Sequence, residues 1–172
     1  MNKPVRTATA GLYMSYGHFV ITDWSGPSPA PGLAASNGLV GADFSGAVVL
    51  TGIANGWVNV AVQLLDTAPG LVETDDWDEV AEVSVDSEDG ELVVHGRGED
   101  PPPGLPELAH AGPGSYRLRV HARGRDIAAH HNAEEPVETY RISAWPAPEA
   151  PEAVYKQSDK HGQEIRAQWP RP

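Results

Sequence analysis

The sequence predicts an all-β protein, a single-domain antiparallel two-sheet β-sandwich with loops rich in proline and glycine. Three observations predict it. Short runs alternate apolar and polar side chains with the period of two that puts one face of a strand on a core. Turn signals recur between those runs, drawn from 18 Gly and 16 Pro among 172 residues, and such punctuation favours short elements. No stretch carries the 3.6-residue periodicity of a convincing amphipathic helix. Seven or eight short strands separated by turns fit a sandwich.

Residues 1–10 read as a flexible lead, 11–146 as the sandwich and 147–172 as a tail mixing proline and charge. Val154, Tyr155, Ile165 and Trp169 are the tail's candidate anchors. The aromatic and β-branched run 12–21 reads as one strand, with Gly17 as a bulge or a close backbone approach. A Pro/Gly loop covers 25–32, and 39–44 is a short strand or a link. The apolar run 46–52, bounded by glycines, reads as a buried strand. Asn55-Gly56 then gives a strong hairpin signal, followed by 57–65 with Val58, Val60, Val62 and Leu64 inward. These two runs are expected to pair.

An acidic loop at 66–76 leads into 77–86. There Trp77, Glu79, Ala81, Val83 and Val85 alternate against Asp78, Val80, Glu82, Ser84 and Asp86. Asp89-Gly90 turns the chain back through 91–95, so a second hairpin with an acidic outer face is expected. Residues 101–106 form a stiff, proline-rich connector. In 114–125, Tyr116, Leu118, Val120 and Ala122 alternate with Arg117, Arg119, His121 and Arg123. One face of that strand is therefore wet or meets acidic partners. A polar insert at 126–136 precedes a last strong strand at 137–145, with Tyr140, Ile142 and Ala144 on one face.

The net charge is −12, which argues against phosphate-based nucleic-acid binding and against anionic membranes. Residues 66–107 hold fourteen Asp and Glu against one Arg. No apolar run approaches the roughly 20 residues of a membrane span, and no apolar segment of a signal peptide follows the charged start. There is no Cys, so disulfides and thiolate metal sites are excluded. A cytoplasmic protein is expected.

Four segments together are similar to the competence protein J family. They are the opening Leu12-Tyr13-Met14-Ser15-Tyr16-Gly17-His18-Phe19-Val20, the Gly41-Ala42-Asp43-Phe44 segment running to Leu50, Gly114-Ser115-Tyr116-Arg117, and Glu138-Thr139-Tyr140-Arg141-Ile142. The likeness spans residues 12–145, and the family's bacterial founder inhibits a DNA-entry nuclease. The resemblance implies a β-sandwich and a protein-binding role, and it carries no catalytic residues. The chain departs from the family in its acidic 66–89 region and its proline-rich tail.

The acidic region has two readings. Asp75, Asp76, Trp77, Asp78, Glu79 and Glu82, with Asp86, Glu88, Asp89 and Glu91, form a partner surface that covers the nucleic-acid groove of a cationic protein such as a nuclease. Opposite potentials speed such encounters, and Trp77 is its apolar anchor. Alternatively the charges are simply solvated and Trp77 belongs to the core. Arg117, Arg119 and Arg123 either bind an anion or pair internally with Glu138 or the acidic hairpin, and the acidic balance favours pairing. A second functional class is a small-ligand module in which Trp57, Trp77 and Tyr116 line a pocket beside those arginines. A third is a structural subunit that pairs through strand edges. His130-His131 with Glu134 and Glu135 has ligand chemistry, but adjacent residues do not face one site, so a polar loop is expected there and no metal or cofactor. His18 is expected to be a satisfied core or edge histidine, and the arginines around His121 disfavour its charged form. No nucleophile elbow, phosphate loop, dinucleotide fingerprint or His-Glu-x-x-His is present. A non-enzymatic binding protein is the expectation.

Overall fold

The computed structural model describes residues 4–168. Two sheets face each other across one core. The larger has the order β1 (Arg6–Met14), β5 (Asn55–Leu64), β10 (Thr139–Pro146), β8 (Gly114–Arg123), β6 (Glu79–Ser87) and β11 (Ala153–Gln157), with the short β9 (Asn132–Ala133) beside β5. The smaller has the order β3 (Val40–Asp43), β4 (Gly46–Leu50), β2 (His18–Asp23) and β7 (Leu92–His95). Pairing is antiparallel except where β5 meets β10 and β9. The expected two-sheet sandwich is the fold.

Alternation places the core. Val58, Val60, Val62 and Leu64 of β5 point inward with Tyr140, Ile142 and Ala144 of β10 and with Leu118 and Val120 of β8. Phe19 and Ile21 of β2, Val49 of β4, and Leu92 and Val94 of β7 meet them from the smaller sheet. The outer side of that sheet carries a small second cluster, where Val20 and Val48 pack under Ala34 of the 3₁₀ turn Pro31–Ala34.

Three connections differ from the expected ones: the chain crosses between sheets once where a continuous strand is expected and twice where a hairpin is expected. The run 12–21 is two strands. Tyr16 and Gly17, at φ 60° and 73°, turn the chain from β1 in the large sheet to β2 in the small one. β4 and β5 do not pair either. Between them Ile53 drops into the core, and the Gly52 and Ile53 amides donate to the buried Glu138 carboxylate at 2.9 and 2.6 Å. Glu138 is thereby committed to this corner, with Tyr140 Oη also donating to it, and it pairs with no arginine of β8. Gly56 is not a turn glycine. Its φ is 136°, and a Cβ there would lie 2.0 Å from the Ala133 carbonyl oxygen, so glycine admits the close approach of β9.

The third crossing joins β6 to β7. Asp23, at the end of β2, accepts from Ser87 Oγ at 2.5 Å and from the Asp89 amide at 2.9 Å. Asp89-Gly90 is a turn, but one between sheets.

The first and last described segments belong to the sandwich. Arg6 to Ala10, expected in a loose lead, form the start of β1 along β5. The expected tail supplies β11, which pairs with β6, and the helix α1 (Lys160–Gln168). Asp159 holds that helix. Its Oδ1 accepts from the Gly162 amide, as an N-cap carboxylate does, and both its oxygens bind the fully buried Arg125 guanidinium at 2.7 and 2.9 Å. Asp126 accepts from the Lys160 and His161 amides. Of the expected anchors, Val154 and Tyr155 lie on β11 and Ile165 on α1, whereas Trp169 lies outside the described residues.

Candidate functional site

The arginine face of β8 is closed, not wet. Glu82 stands opposite Arg119 on the paired strand β6. Its two oxygens accept from Arg117 Nε at 2.9 Å and Arg119 Nε at 2.5 Å, all three side chains being buried. Arg117 also donates to the Ala150 and Pro151 carbonyls. Arg119 lies between the rings of Trp145 and Tyr155, 5.3 and 5.5 Å from their centroids. The 71–77 loop covers the rest. Trp77 packs on His121 with Arg123 and Arg141 against its face, at 4.6 and 5.3 Å. Internal pairing is therefore the fate of Arg117 and Arg119. Arg123 is exposed at the end of the strand and donates to the Asp76 carbonyl.

The expected ligand pocket does not assemble. Tyr116 points into the core at 1% exposure, its hydroxyl donating to the Gly112 carbonyl. Trp57 sits on β5 in an edge-to-face contact with Tyr13, and Trp77 packs on His121. Parity separates Tyr116, which faces the core, from Trp57 and Trp77 on the outer face of the large sheet.

The acidic residues do not form one surface. Glu82 is buried in its arginine pair. Glu79, at 1% exposure, lies beside Arg125 and Arg166, with Asp159 next to it. Two carboxylates sharing one guanidinium are driven apart. Burial and the Asp159 charge push the Glu79 carboxyl up, while Arg125 outweighs burial and holds Asp159 below the usual carboxylate range. Trp77 is 7% exposed and covers His121 between Arg123 and Arg141. Asp78 accepts from the Gly124 amide at 3.0 Å. Asp75 and Asp76 are exposed, but on a loop held by Lys156 Nζ on the Thr74 carbonyl and by the Arg141–Glu73 ion pair.

The remaining carboxylates gather at the other end of β6, roughly 30 Å away at about 3.3 Å per residue. Asp86, Glu88 and Asp89 are exposed there and line a cleft of about 610 Å³, together with Phe44, Ser45, Pro27 and Pro113. A smaller hollow of about 200 Å³ lies on the other side of Phe44, bordered by Asp86 and Glu149. None of the residues lining either one is basic. Glu91 is exposed just beyond the turn, where its carbonyl accepts from the Trp24 amide.

Phe44 is the residue that sequence reasoning missed. It occupies the tip of the β3–β4 hairpin, where Asp43 pairs with Gly46 and Asp43 Oδ1 accepts from the Ser45 amide at 2.8 Å. At 86% exposure it projects a full aromatic ring into solvent. The signal was available: Asp-Phe-Ser-Gly puts a large apolar side chain in a two-residue turn, where polar residues are usual.

A sandwich with these two sheets, its corners crossing between them and its last strand added at the edge beyond β6, defines a fold already known from solved structures. The chain has the ComJ-like fold. It is similar to ComJ from Bacillus subtilis, described as an inhibitor of the DNA-degrading activity of NucA, at 16% identity and a TM-score of 0.55, covering 86% of this chain and 99% of that one. It is also similar to the product of crocagin biosynthetic gene J, at 21% identity and a TM-score of 0.51, covering 83% of this chain and 98% of that one. No family model matches the sequence, and no curated protein does. Among the described residues no helix is long and apolar enough to cross a membrane.

Proposed function

We propose that this protein is a non-enzymatic binding protein that inhibits a cationic partner, with a nuclease as the favoured class. Its contact surface is the acidic cleft around Phe44. The observation that carries this reading is the juxtaposition of three exposed carboxylates, Asp86, Glu88 and Asp89, with an 86% exposed aromatic ring at one end of a rigid sandwich. A nuclease groove is basic because it binds phosphates. Carboxylates held on a strand end and a capped turn would occupy that track, and Phe44 would supply the buried aromatic contact that commonly dominates an interface. The fold shared with a NucA inhibitor supports this class of partner. The surface is narrower than residues 75–91, because Trp77, Asp78, Glu79 and Glu82 serve the protein's own interior.

The test is affinity capture from the native lysate with the wild-type chain and with D86K/E88K/D89K, followed by DNA-hydrolysis assays on what is retained. The wild type is expected to retain a basic nuclease that salt releases, and to suppress its activity. The triple variant is expected to do neither. Failure of the wild type to retain a basic partner, or equal retention by the variant, would contradict the proposal.

A further inference from the structure

Beside α1, which meets the start of β6 through Asp159 and Arg166 on Glu79, three metal-ligating side chains converge from two segments far apart in sequence. His161 and Glu164 are three residues apart on α1, the spacing that puts both on one helix face. His130 approaches them from the 126–136 insert. One donor atom of each lies within 4.8 Å of the other two. His130 Nε2 is already 3.5 Å from a Glu164 carboxylate oxygen, and the two imidazole rings are 5.2 Å apart.

The backbone beneath them is fixed. His130 has a φ of 68°, a conformation that is costly for a residue with a Cβ and persists only where surroundings enforce it. They do so here. The His130 amide donates to the Gly52 carbonyl, the His131 amide to that of Ala128, and the Ala54 amide to that of His131. His161 is 6% exposed, and its Nδ1 is buried with no hydrogen-bond partner.

We infer that His130, His161 and Glu164 bind a divalent transition cation of the zinc class. Two imidazoles and one carboxylate are the donors that suit Zn²⁺, Co²⁺ or Ni²⁺, and they disfavour Mg²⁺ and Ca²⁺, which take oxygen ligands. Donors around tetrahedral zinc sit about 3.4 Å apart at bond lengths of about 2.1 Å. Shifts of about 1 Å by His130 and Glu164, both exposed, close the set around buried His161. His130 and His161 also line a cleft of about 320 Å³ with Tyr16, Thr51 and Ile165, which leaves room for water or a partner's donor as a fourth ligand. The bound ion ties α1 to the insert that carries β9. The sequence reading missed the site because it matched His130 with its neighbour His131, while the other two ligands lie thirty residues on, in a segment read as tail.

Co²⁺ is the probe that tests this. Untagged protein, freed of metal by chelation, is titrated with Co²⁺ and followed by visible absorbance, then challenged with Zn²⁺. One equivalent of Co²⁺ per chain is expected, displaced by Zn²⁺, and bound at least about tenfold more weakly by H130A and by E164Q. Both variants alter exposed side chains, and circular dichroism verifies that they fold. D75N/D76N, which removes two exposed carboxylates outside the ligand set, is expected to bind like the wild type. Absence of stoichiometric uptake by the wild type, uptake retained by both ligand variants, or equal loss in D75N/D76N would overturn the assignment.

Discussion

His121 shows how much of this protein's behaviour rests on single buried groups. Its ring is covered by Trp77, with Arg119 and Arg141 nearby and Nε2 donating to the Glu73 carbonyl at 2.9 Å. Burial first, then Arg141, lowers its pKa to about 3. The unfolded imidazole titrates near 6.5, so between those values the unfolded chain carries the extra proton. Stability therefore falls as pH drops from about 6.5 toward 3, by up to about 1.4 kcal/mol per pH unit from this group. Burial lowers His18 and His95 as well, which steepens the slope. Urea midpoints of H121Q measured across that range should show a slope shallower by about one proton, and an unchanged slope would refute the assignment. Glu82 makes the complementary case. E82A leaves Arg117 and Arg119 buried without their carboxylate and should cost about 3–5 kcal/mol, whereas apolar replacement of all three should come close to neutral. Thermal unfolding of the two variants checks both. The arginine–glutamate pairing was legible in the strict alternation of 116–123 together with an acidic chain. Which carboxylate served was not, because register across β6 and β8 is set by the whole sheet.

At the scale of elements, strands were easier to read than their connections. The alternation in 57–65 and 114–123 assigned the core faces correctly, since period two depends on one strand alone. Asn55-Gly56 misled because the residue types that make a tight turn also admit a close backbone approach, and local sequence does not distinguish them. G56A separates the two uses. With a Cβ 2.0 Å from the Ala133 oxygen, it should displace β9 and destabilise the protein by about 1–3 kcal/mol. An unchanged midpoint would mean that β9 yields freely. The helix α1 was missed for a different reason. Only His161 and Gly162 of it are buried, so it carries no apolar stripe, and Asp159 on Arg125 secures it instead. D159A removes the cap and the bidentate carboxylate of a fully buried guanidinium, leaving Glu79 at 3.7 Å as its remaining counter-charge, with an expected cost of about 3 kcal/mol. Hydrogen exchange should speed first in α1 and β11, and uniform protection there would contradict this role.

Across the whole molecule, the charge of −12 is divided by use. The carboxylates in the middle of β6 neutralise the protein's own arginines, those before it edge a loop among basic side chains, and those after it stand exposed around Phe44. Composition announced an acidic protein but not this partition, which follows from strand parity and from where the chain crosses between sheets. In the binding mode proposed above, the end of β6 is the surface on which an electrostatically steered encounter depends. The association rate with the captured nuclease, followed as salt is raised, tests that most directly. The wild type should lose at least about tenfold in rate between low salt and about 0.5 M. D86K/E88K/D89K should associate slowly at every salt concentration, while D75K/D76K keeps most of the wild-type rate. A salt-independent rate, or equal losses in the two variants, would contradict the assignment of the acidic cleft as the contact surface.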